Sequence, residues 1–133
     1  MKKKTSDSTP MRPEGERVLN APLVQIDLNK YMEQIKSETT WENSSYNSMT
    51  LFKSEAMTIV LIGMHAKAIL KKHTTNAVIS VQTVTGQLNF ITEEQSVELS
   101  KGEMVTLQPM IPHSVEAQEE SFFLLTLSAL RKI

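Results

Sequence analysis

The sequence predicts an all-β fold: one barrel of two packed sheets, preceded by a single short helix. Three observations predict it. From Met49 onward the 133-residue chain breaks into short segments rich in β-branched residues, at the spacing of about 8–12 residues that marks sandwiches and barrels. Gly86 and Gly102 stand between such segments, where tight turns often require a positive φ. The length supplies one hydrophobic core and is too short for two.

Taken in order, residues 1–20 are polar, hold Pro10, Pro13 and Gly15, and lack periodicity, so they are expected to form a flexible tail. Residues 21–133 then form the domain, with its barrel core at about 49–128. Residues 23–26 predict a short strand, and Asp27 caps a helix in which Leu28, Met32 and Ile35 recur at helical spacing. Residues 41–48, rich in Ser and Asn, read as a loop anchored by the lone Trp41. Strands follow at 49–53, 57–64, 68–70, 78–85, 87–92, 96–99, 104–107, 114–117 and 122–127. Eight or nine short strands after one helix fit a double-sheet jelly roll, which lets most strand edges pair.

Composition excludes several classes of function. Lys and Arg number 14 against 15 Asp and Glu, and the net charge of −1 creates no field to gather nucleic acid. Lys2-Lys3-Lys4 is the only basic run, and without interleaved aromatics it reads as part of a solvated tail. No cysteine is present, which removes thiolate ligands and a Cys nucleophile. The apolar runs at 57–64 and 122–127 fall far short of the roughly 20 residues that cross a bilayer. With no apolar leader after the lysines, a cytoplasmic location is expected.

Histidines number three: His65, His73 and His113. The stretch from His73 to Gly86, followed by that from Gly102 to His113, resembles the two short motifs of the cupin superfamily. The first motif there reads Gly, five residues, His-x-His, three or four residues, Glu, six residues, Gly. The second reads Gly, five residues, Pro-x-Gly, two residues, His, three residues, Asn. His73, Gly86, Gly102 and His113 match by residue and spacing. Lys67 replaces the opening glycine, Thr75 the second histidine, Ile79 the glutamate, Met110 the loop glycine and Ala117 the asparagine, while Gln108 takes the proline position with Pro109 beside it. Together with Pro112-His113 and the strand rhythm, the pattern resembles small single-domain cupins, which implies an RmlC-like double-stranded β-helix.

The resemblance also implies a metal held by three histidines and a glutamate, and here the departures matter. Thr75 is a poor ligand for a first-row metal and Ile79 is none. His73 and His113 alone would bind a divalent ion weakly. Glu116 lies three residues beyond His113 on the same predicted strand, so alternation turns it to the other face. His65 could face inward as a third donor, or sit at an exposed strand end. The expectation is therefore no resident cofactor beyond a weakly bound divalent metal on His73 and His113.

Other catalytic constellations are weaker. No Gly-x-Ser-x-Gly elbow occurs, and His113 and Ser114 point to opposite faces of a strand. Glu93-Glu94 and Glu119-Glu120 read as solvated turn charges, and the eight methionines as fillers of core gaps.

Three readings remain open at this level. In the first, a barrel pocket lined by His73, His113, Thr75, Ile79, Val81 and Met110 binds a small molecule. In the second, a metal-dependent dioxygenase, isomerase or decarboxylase uses His73 and His113, joined by His65 or by the substrate. In the third, the barrel is a homodimerisation or docking unit, with residues 23–26 pairing to a sheet edge of a second copy.

Overall fold

A computed structural model describes residues 4–5 and 17–128. Asp27 starts helix α1 (Leu28–Ser37), its side chain accepting a hydrogen bond from the Lys30 amide at 3.2 Å, which satisfies one of the helix's free N–H groups. Ile35 on its inner face is fully buried. A second short helix, α2 (Thr39–Asn43), carries the buried Trp41 where a loop is expected from sequence. Asn47 fastens the helical segment to the strands. Its side-chain amide donates to the Ile35 carbonyl at 3.2 Å and to the Glu38 carboxylate at 2.9 Å.

Strands β1 (Lys4–Thr5) and β2 (Val18–Asn20) pair with each other. Nine further strands form the barrel: β3 (Tyr46–Lys53), β4 (Met57–Met64), β5 (Ile69–His73), β6 (Ile79–Thr85), β7 (Gln87–Thr92), β8 (Ser96–Ser100), β9 (Met104–Leu107), β10 (His113–Ala117) and β11 (Ser121–Ser128). They make a five-stranded sheet in the order β3-β4-β11-β6-β9 and a four-stranded sheet in the order β5-β10-β7-β8, with every pairing antiparallel. The jelly-roll expectation is met.

Two apolar clusters explain the sequence pattern of the five-stranded sheet. Between the sheets, Ile62, Ile79, Val81 and Phe123 meet Leu88, Phe90, Leu99 and Val115. On the sheet's other face, Leu61, Met49, Leu51 and Phe122 pack under Ile35 and Trp41. Strands β4 and β11 are thus covered on both faces in part of their length, and so carry near-continuous apolar runs rather than strict alternation.

Two further expectations change. Residues 23–26 form no strand, and Leu23 is 88% exposed. Pro22, which lacks a backbone donor, ends the pairing just before them. The edge proposed for a second copy is therefore not formed. Within the expected tail, Val18–Asn20 is instead a strand with Leu19 buried, and the Arg17 guanidinium donates to the Thr50 carbonyl of β3. Most of residues 1–20 lie outside the described residues.

Candidate functional site

The four-stranded sheet positions the two motif histidines side by side. His113 opens β10 directly opposite His73, which closes β5, and their ring centroids lie 4.4 Å apart. His113 is 4% exposed and lies nearly parallel to the Phe90 ring at 5.5 Å, while His73 sits at the exposed mouth. The two rings are held in the same way. Nδ1 of His73 lies 2.9 Å from the Lys71 carbonyl, and Nδ1 of His113 lies 2.9 Å from the Ile111 carbonyl. A carbonyl only accepts, so each Nδ1 carries the proton, and in the neutral ring Nε2 keeps its lone pair.

Both rings border a cavity of ≈ 380 Å³ between the sheets. Its walls are apolar, with Ile62, Ile79, Val81, Phe123 and Leu125 from the five-stranded sheet and Leu70, Phe90 and Val115 from the other. Tyr46, Ser48 and Thr75 supply hydroxyls, and Lys71 and Lys72 complete the lining. Burial holds the His113 pKa below its ordinary 6.5; the bond to the Ile111 carbonyl opposes this, and the nearby His73 charge adds to it.

Of the residues expected in the pocket, His73, His113, Thr75, Ile79 and Val81 all line this cavity. Met110 does not. It is 59% exposed in a left-handed backbone conformation (φ 65°), so the loop reverses there and leaves its side chain outside. His65 is also removed from the site. Its ring packs tilted against Trp41 with centroids 3.8 Å apart, and its Nε2 donates to the Trp41 carbonyl, against the helical side of the sheet. Sequence reading missed Tyr46 and Ser48 because their segment looked like a loop. The alternation of buried Asn47, Met49 and Leu51 with Tyr46, Ser48 and Thr50 is the signal that marks it as a strand.

The backbone keeps a further trace of the motifs. Among the described residues, positive φ occurs at Lys67 (71°), Gly86 (89°), Gly102 (86°) and Met110 (65°). These are the four glycine positions of the two cupin motifs, two of them now filled by side chains that rarely adopt this conformation. A hydrogen bond from the Met110 amide to the Thr75 carbonyl at 2.8 Å ties the second motif's loop to the first.

Solved structures agree with this geometry. A cupin superfamily protein from Desulfitobacterium hafniense superposes with a TM-score of 0.62 at 13% identity, over 64% of this chain and 78% of that one. The protein has the cupin fold. A cupin-2 domain protein from Shewanella frigidimarina matches the cupin fold here with a TM-score of 0.64 at 15% identity, over 77% of this chain and 93% of that one. A conserved Streptococcus pyogenes protein of unknown function reaches 0.65 at 16% identity, over 86% and 94%. No family model and no curated protein matches the sequence. The cupin neighbours share architecture with this chain without specifying an activity.

A metal of the kind cupins hold does not fit the residues present. No group of three His, Cys, Asp or Glu side chains comes together among the described residues. Thr75 spends its hydroxyl in a local turn with Ala77 (3.2 and 3.3 Å), and Ile79 presents only carbon. Two imidazoles fall short of the three or four protein ligands that hold first-row metals tightly. No described helix is long and apolar enough to cross a membrane.

Proposed function

We propose that this cupin-fold protein is a small-molecule-binding barrel that works without a resident metal. One observation carries the reading: the positions corresponding to the cupin metal ligands border a mainly apolar cavity in which, among the described residues, His73 and His113 are the only His, Cys, Asp or Glu side chains. Its size lies within the range of ligand pockets. Burying an apolar ligand surface there contributes about 25 cal/mol per Å² whether or not an ion is bound. The two rings orient the ligand's polar end. The test is a screen of small amphiphiles against chelator-treated protein, following the His113 ring resonances. Hits should be lost in Leu125→Trp, which fills the cavity from a half-buried wall position. Hits that persist in a folded Leu125→Trp protein would place binding elsewhere.

A second reading, a metal-dependent dioxygenase, isomerase or decarboxylase, is favoured by the matching orientation of the two rings, which leaves both Nε2 atoms free. The donor count opposes it. One equivalent of metal in protein purified without added ions would reverse the order of the two readings.

A further inference from the structure

We infer, resting on the binding reading above, that the cavity's ligand is a small organic anion: an apolar body carrying a carboxylate. Every nitrogen-bearing side chain of the lining is cationic or able to become so, and the standing charge is that of the two lysines. Lys71, Lys72, His73 and His113 all border the cavity, and among the described residues no Asp or Glu does. The chain as a whole carries slightly more acid than base, so this segregation is local.

Lys72 has a carboxylate partner. Glu93 accepts from the Lys72 ammonium at 3.0 Å in an exposed pair outside the cavity. Lys71 has no ion-pair partner among the described residues, and its ammonium sits on a long flexible stem at the rim. A cation entering this mouth would meet like charge, and a neutral ligand would leave the positive rim uncompensated. A carboxylate presents two oxygens to two adjacent rings. Because each Nδ1 is committed to a backbone carbonyl, each ring meets the ligand through Nε2. That nitrogen becomes a donor when it takes a proton, which a neighbouring anion favours. The hydroxyls of Tyr46 and Ser48 lie on the opposite sheet of the same cavity.

The experiment compares three probes of one shape, hexanoate, hexanamide and hexylammonium, by calorimetric titration of the full chain and of Lys71→Gln/Lys72→Gln. Hexanoate is expected to bind about tenfold tighter than hexanamide, the discrimination of one good charge-assisted contact. The double variant should abolish most of that preference, so that hexanoate and hexanamide bind alike, and a urea midpoint matching the wild type shows that the variant is folded. Equal affinity for hexanoate and hexanamide overturns the anion inference and leaves the small-molecule reading standing. Preference for hexylammonium overturns it as well. Failure of all three to bind overturns both.

Discussion

Lys67 and Met110 hold the left-handed conformation that glycine adopts freely, a conformation that costs an ordinary side chain about 1–2 kcal/mol. Replacing either by Gly removes that strain against an added unfolded-state entropy of about 0.4–1 kcal/mol. Each of Lys67→Gly and Met110→Gly is therefore expected to stabilise the protein by up to about 1.6 kcal/mol, read as a higher urea midpoint. His113 makes a prediction of opposite character. Its folded pKa lies below 6.5, so as pH falls below that value the unfolded chain takes up a proton that the fold resists. Its contribution to stability is intact above 6.5 and declines as pH falls toward the folded pKa. His113→Asn, which retains a donor for the Ile111 carbonyl, should show a shallower loss of Tm between neutral and mildly acidic pH than the wild type. At this scale the two histidines, Thr75, Ile79 and Val81 were legible because motif spacing and strand alternation point the same way. Met110 was not, because a side chain at a glycine position follows the backbone turn and not the motif.

At the level of elements, β4, β7 and β9 run between the residues where the sequence places them, since long apolar or alternating segments bounded by turn residues leave little freedom. The Trp41 region differs because a helix as short as α2 has too few turns to show a period, and Trp41 anchors it through packing rather than propensity. The start of β3 was hidden by Ser and Asn, residues that favour turns locally but here lie in a ladder with β4. Asn47 shows what that arrangement needs. Its amide serves the end of α1 and Glu38 together, in a buried setting. Asn47→Ala should cost about 2–3 kcal/mol through the hydrogen-bonding capacity it leaves unmet, measurable as a fall in ΔG of unfolding with an unchanged m-value.

For the molecule as a whole, the barrel keeps the backbone turns of the motif positions although most of the motif side chains differ. The four motif glycine positions keep positive φ, and Thr75 and Ile79 still border the cavity beside His73 and His113. Thr75→His/Ile79→Glu is accordingly expected to retain about one divalent ion per chain after dialysis, where the wild type retains none by elemental analysis. Failure of a folded double variant to hold an ion would show that the backbone frame itself does not bring the four positions to one point. The order of strands has a consequence of another kind. β11 lies at the middle of the five-stranded sheet, bonded to β4 on one side and β6 on the other, yet it follows β4 by more than fifty residues of sequence. During synthesis both neighbours must therefore wait with open apolar edges until residues 121–128 clear the ribosome. A nascent chain stalled before Ser121 should be captured by chaperones or aggregate, whereas release of the full segment lets the sheet close in one step.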